Sequence, residues 1–64
     1  MKRQKFIKHL TKHGCVFDRE GSRHSMYVNT FNGNGAAVPR HNEIKDRLAK
    51  NICDQLGIPP CGNN

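Results

Sequence analysis

The chain has 64 residues, enough for one domain with a small hydrophobic core. Its formal net charge is +6 and its sequence pI is about 9.7, which favours a polyanion or an acidic protein as partner. No apolar stretch approaches the roughly 20 residues that cross a bilayer, and none follows the basic N-terminus, so the composition excludes a membrane span and we expect no signal peptide.

A first helix is predicted over residues 3–13. Phe6, Ile7 and Leu10 fall on one helical face, and lysines surround most of the rest. Gly14 is a typical residue to end this helix.

Three short strands follow, predicted at residues 15–19, 24–30 and 36–38. Gly21 and Ser22 mark the first turn, and the two Asn-Gly steps of Asn32–Gly35 mark the second. Pro39 ends the last strand. In the middle strand Tyr27 shares one face with Ser25 and Asn29. We expect it to be a partly exposed aromatic residue.

A second helix is predicted after Asn42, a favourable N-cap, with Glu43 at its positive end. Apolar residues recur every four positions and are expected to form a core-facing stripe: Ile44, Leu48, Ile52 and Leu56. Gly57 closes the helix, and Ile58 is expected to fold back onto it.

The order helix, three strands, helix predicts a small α+β domain over residues 1–58. A three-stranded antiparallel sheet with both helices on one face buries the two apolar stripes economically. Pro59 and Pro60 stop the helix, and residues 59–64 are expected to form a flexible C-terminal tail.

The three cysteines, Cys15, Cys53 and Cys61, include no Cys-x-x-Cys pair. An odd number argues against a complete disulfide framework, so reduced thiols in a cytoplasmic protein are expected. His9 and His13 have a metal-compatible spacing on the first helix. Apart from Cys15 they have no carboxylate or thiolate nearby, and lysines surround them, so we expect them on a solvated face of the helix. We therefore predict no metal or cofactor.

The run from Arg19 to His24 carries the residues best suited to chemistry. Imidazole exchanges protons near neutral pH, so His24 is the candidate acid–base residue. Arg23 is suited to hold a phosphate, and Ser22 to hydrogen-bond the same group. The competing interpretation of His24 is a surface histidine at a strand end. No second acid–base group is evident nearby.

Arg40 and His41 follow the third strand. They are candidates to extend the phosphate-binding surface or to cap the site. A solvated turn between the strand and the second helix explains them equally well.

Three stretches follow one another along the chain: Phe6–Leu10 with Lys12–Cys15, then Gly21–His24, then Ala37–His41 with its continuation to Ile58. In this order and spacing they resemble the HicA family of toxins from bacterial toxin–antitoxin modules. The resemblance covers about residues 1–58. It implies a fold like a double-stranded-RNA-binding domain, cleavage of mRNA, and neutralisation by a HicB antitoxin.

The chain departs from the family pattern at the turn. The common motif is Gly-Ser-His-His, whereas Arg23 here takes the place of the histidine directly after Ser22. A shift of one residue at the turn places His24 in the catalytic position, and this is the interpretation we favour. The leading hypothesis is therefore a metal-independent endoribonuclease toxin. The alternative is a non-catalytic RNA-binding module of the same fold.

Overall fold

The computed structural model describes residues 1–61 and has the predicted order of elements. They are helix α1 (Arg3–Lys12), strands β1 (Cys15–Glu20), β2 (His24–Asn29) and β3 (Gly35–Pro39), and helix α2 (Asp46–Leu56). The strands form one antiparallel sheet in the order β1-β2-β3, so β2 is central. The predicted α+β fold is confirmed.

One face of the sheet carries the hydrophobic core. Tyr27 pairs with Ala36 and Ser25 with Val38, and such cross-strand partners point to the same side of a sheet. All four are buried, and Tyr27, Ala36 and Val38 belong to the same core cluster as the buried residues of both helices. Tyr27 is only 9% exposed, so the prediction of a partly exposed aromatic was wrong; its position opposite Ala36 places it under the helices.

Helix α1 buries Phe6 and Leu10 completely, whereas Ile7 is partly covered. Gly14 follows the helix in the left-handed region, with φ of +81°. The ring of Phe31 occupies the space that a Cβ at Gly14 would need. Glycine therefore serves two purposes here, because it permits both the positive φ and the close approach of the ring.

Helix α2 begins at Asp46, later than predicted, and its N-cap is Lys45 rather than Asn42. The preceding residues pair instead with the N-terminal segment. The backbone nitrogen of Arg3 donates to the Asn42 carbonyl oxygen at 2.8 Å, and Lys2 forms a β-bridge with Glu43. This extended pairing holds residues 42–44 outside the helix, so the predicted roles of Asn42 and Glu43 at its start were wrong.

The buried face of α2 also differs from the predicted stripe. Its buried residues are Ala49, Ile52, Cys53 and Leu56. Leu48 is 39% exposed, so its assignment to the core was wrong. Ile44 is buried but lies before the helix, and it therefore does not set the orientation of the helical face.

The end of α2 follows the prediction. Gly57 has φ of +72°, and the Ile58 nitrogen donates to the Cys53 carbonyl oxygen at 3.0 Å, which folds the buried Ile58 back onto the helix. Pro59 and Cys61 continue along the surface, and Cys61 packs against the core. The remainder of the predicted tail, residues 62–64, lies outside the described residues. In the described part of the chain, neither helix has the length and apolar composition that crossing a membrane requires.

Candidate functional site

The turn between β1 and β2 presents the residues singled out in the sequence. The Gly21 nitrogen donates to the His24 carbonyl oxygen at 2.7 Å, which closes the turn. Ser22, Arg23 and His24 are all exposed. His24 is the first residue of β2 and pairs with Pro39 of β3, so the central strand fixes its backbone.

Arg40 holds this turn from the end of β3. Its Nη2 donates to the Ser22 carbonyl oxygen at 2.9 Å, and its Nη1 donates to a carboxylate oxygen of Glu20. A longer contact of 3.4 Å joins Nη1 to the Gly21 carbonyl oxygen. The planar guanidinium suits this set of acceptors, because its donors diverge in one plane. The Arg40 guanidinium therefore forms most of its hydrogen bonds with acceptors in the protein itself.

A polar network connects Glu20 and the end of β3, and with them Arg40, to the rest of the fold. The buried Ser25 hydroxyl donates to Glu20 at 3.2 Å and accepts from the Arg3 guanidinium at 3.3 Å. Arg3 also donates from Nε to the Pro39 carbonyl oxygen at 2.8 Å. Helix α1 and all three strands therefore contribute to the position of the turn.

A cavity of about 450 Å³ lies beside the turn and brings together two of the candidate residues. It is lined by His24, Ala37, Pro39, His41, Glu43, Lys45 and Leu48. Leu48, Ala37 and Pro39 give it an apolar side, so the exposed Leu48 is part of the cavity wall. A larger cavity of about 630 Å³, lined by residues such as Lys5, Lys50 and Cys61, contains none of the predicted site residues.

The charges around the smaller cavity are unequal. Glu43 pairs with Lys2 at 3.1 Å, and the hydrogen bond from Lys2 lowers the pKa of the Glu43 carboxyl. Glu43 is therefore an ionised, paired group near neutral pH. Lys45 adds a positive charge to the lining, and Arg23 is exposed in the adjacent turn, where none of the ion pairs formed within residues 1–61 includes it. Both cations suit a phosphate group.

The cysteines lie elsewhere. Cys15 and Cys53 are buried free thiols, and burial raises the pKa of each, so both are protonated near neutral pH. His9 and His13, which were predicted on a solvated face, are both partly buried. The His9 ring forms a hydrogen bond with the Pro59 carbonyl oxygen at 2.8 Å. Within residues 1–61, no group of three or more metal-ligating side chains is present.

Sequence reasoning identified the turn but missed much of its surroundings. It did not identify Glu20 and Ser25 as supports, or Lys45 and Leu48 as cavity lining. The alternation along β2 placed Ser25 and His24 on opposite faces, and that signal could have marked Ser25 as an inward-facing polar group. The contacts of Arg40 had no local signal, since Glu20 lies twenty residues earlier.

The comparisons with known proteins gave one match. The family model described as HicA toxin of bacterial toxin–antitoxin matches residues 3–58. No curated protein and no solved structure gave a significant match. The matched range spans all five elements of the fold and the turn with its cavity.

Proposed function

The chain belongs to the HicA toxin family, and from this premise we propose that it is an endoribonuclease that cleaves mRNA without a metal ion, with His24 as an acid–base residue. The observation that carries the proposal is the position of His24. It is exposed at the first residue of the central strand, and it lines a cavity whose lining also includes the cationic Lys45. A group that moves protons at an RNA phosphate needs both access and a nearby positive charge.

The neighbouring residues have distinct roles in this proposal. RNA supplies its own nucleophile, the 2′-hydroxyl, so the protein has to move protons and hold the phosphate. Arg23 binds the phosphate through its exposed guanidinium, and Ser22 hydrogen-bonds it or orients the loop. Arg40 positions the turn, because its guanidinium is bonded to the Glu20 carboxylate and to the Ser22 carbonyl oxygen. The net charge of +6 favours association with RNA.

The test is cleavage by the purified protein in EDTA, with the product ends mapped. A 2′-hydroxyl mechanism leaves a 2′,3′-cyclic phosphate and a free 5′-hydroxyl. His24→Ala should lower the cleavage rate by about 10²–10⁴-fold, because general acid–base help is worth that much. Native protein that leaves RNA intact, a 5′-phosphate product, or a fully active His24→Ala variant would each contradict the proposal.

Arg23 supports a second candidate, a non-catalytic RNA-binding module. It occupies the residue after Ser22, where the family motif that the sequence resembles has a histidine. The same experiment separates the two, because the module would bind RNA on a gel without forming product ends. The start of β2 at His24, and the cavity that His24 rather than Arg23 lines, favour the enzyme.

We further propose a cytoplasmic toxin that is held inactive by a HicB-type antitoxin. The basic charge of the toxin favours an acidic contact surface on the antitoxin, and inhibition is most direct if that surface covers His24. Association between the two should then slow as the salt concentration rises. If a reagent that modifies histidine side chains labelled His24 in the antitoxin complex as fast as in the free toxin, this arrangement would be contradicted.

A further inference from the structure

Two imidazoles from different parts of the chain line one cavity. His24 pairs with Pro39 across the sheet, and His41 lies two residues beyond Pro39, where the chain leaves β3. Both residues line the cavity of about 450 Å³, and both are exposed. The sheet register is therefore what brings the second histidine to the first.

The other groups of this cavity are less suited to moving protons near neutral pH. Glu43 is ionised and paired with Lys2, and its lowered pKa keeps it from serving as an acid there. Lys45 contributes a positive charge. Strand β3 and helix α2 contribute the uncharged Ala37, Pro39 and Leu48. The charged Arg23 lies in the adjacent turn and does not line the cavity.

We propose that His41 is the second proton-transfer residue of the site and shares the acid and base roles with His24. This inference rests on the ribonuclease activity proposed above. Cleavage of RNA through its 2′-hydroxyl requires two proton transfers, and a cavity with two exposed imidazoles supplies a group for each.

The reaction balances with these two groups. The neutral imidazole takes the proton of the 2′-hydroxyl as that oxygen forms a bond to phosphorus. The bond from phosphorus to the 5′-oxygen breaks, and the imidazolium gives its proton to that oxygen. The products are a 2′,3′-cyclic phosphate and a 5′-hydroxyl. The two imidazoles end with exchanged protonation states, which proton exchange with water restores.

The test compares His24→Ala, His41→Ala and the control His13→Ala on two substrates. His13 is the C-cap residue of α1 and does not line the cavity, so its replacement removes an imidazole elsewhere. One substrate is ordinary RNA. The other carries sulfur in place of the bridging 5′-oxygen, and its thiolate leaves without protonation. Circular dichroism and urea unfolding show whether each variant is folded.

On ordinary RNA, His41→Ala should lower kcat by about 10²–10⁴-fold, as His24→Ala does, whereas His13→Ala stays close to native. On the sulfur-linked RNA, whichever variant lacks the acid should recover to within about tenfold of the native rate, and the other should stay slow. The bell-shaped pH profile of native kcat/KM should lose one limb in His41→Ala.

The outcomes separate this inference from the proposed function. If His24→Ala is inactive and His41→Ala keeps the native kcat, the role of His41 is refuted while the ribonuclease activity stands. If neither variant or both variants recover on the sulfur-linked RNA, the division of roles is refuted. If native protein does not cleave, or His24→Ala cleaves normally, the proposed function fails and the inference fails with it.

Discussion

Replacing Arg40 by lysine tests whether the guanidinium holds the β1–β2 turn. Arg40→Lys preserves the net charge of +6 and keeps a cation near Glu20, but it removes the planar set of donors that reaches the Ser22 carbonyl oxygen at 2.9 Å. Long-range attraction for RNA is therefore unchanged, and any effect comes from the contacts within the turn.

The expected energy is small and local. The Arg40 and Glu20 side chains are 43% and 57% exposed, so their ion pair contributes no more than about 1 kcal/mol to stability. The bond to the Ser22 carbonyl contributes a further quantity of about 1 kcal/mol. Because lysine retains part of the ion pair and loses mainly the bond to Ser22, we expect the free energy of unfolding to fall by about 1 kcal/mol.

Amide hydrogen exchange measures the turn directly. The Gly21 amide donates to the His24 carbonyl oxygen, and losing about 1 kcal/mol from the closed turn should speed its exchange about fivefold. The Ile58 amide, at the far end of α2, serves as an internal reference and should be unchanged. A matched variant, Arg47→Lys, alters an exposed arginine of α2 that does not line the cavity.

The catalytic effect should exceed the effect on stability. A turn that is no longer held displaces His24, and misplacement by about 1 Å can lower the rate about 100-fold. We expect kcat for RNA cleavage to fall between about tenfold and 100-fold in Arg40→Lys and to stay near native in Arg47→Lys. If the Gly21 amide in Arg40→Lys exchanged as slowly as in the native protein, the claim that the Arg40 guanidinium holds the turn would be refuted. Faster exchange with unchanged cleavage would refute its link to His24.

Two further predictions concern the core and the thiols. Ile52→Ala should lower the free energy of unfolding by about 2–5 kcal/mol, because Ile52 is 2% exposed. Leu48→Ala should lower it by about 1 kcal/mol or less, because Leu48 is 39% exposed. Equal losses for the two variants in urea unfolding would contradict the orientation of α2. Iodoacetamide should label Cys61 before Cys15 and Cys53 in the native protein at pH 7, since burial both shields those two thiols and raises their pKa. Mass spectrometry of labelled peptides checks this order, and early labelling of Cys53 would refute it.

The order and type of the elements were predictable because they depend on local signals. Alternation marked β2, the paired Asn-Gly steps marked the second turn, and Gly57 marked the end of α2. The exposed turn that carries His24 also followed from the sequence, since a glycine turn opening a strand presents its first side chains to solvent.

The start of α2 could not be predicted in this way. Asn42 is a good N-cap by residue type, but its carbonyl oxygen accepts a hydrogen bond from the backbone nitrogen of Arg3, nearly forty residues away in the chain. That pairing delays the helix to Asp46, and the face of the helix that is buried is the one with Ala49, Ile52, Cys53 and Leu56, which leaves Leu48 exposed. A long-range backbone contact thus overrides a local propensity.

The residue types determined that this chain is a basic α+β domain with an imidazole at an exposed turn. Tertiary structure alone decided that Arg40 turns back onto Glu20 and that His41 lines the same cavity as His24. The physical reason is the register between β2 and β3. The pairing of His24 with Pro39 is set by side-chain packing across the whole sheet, and no local pattern around either histidine encodes the other.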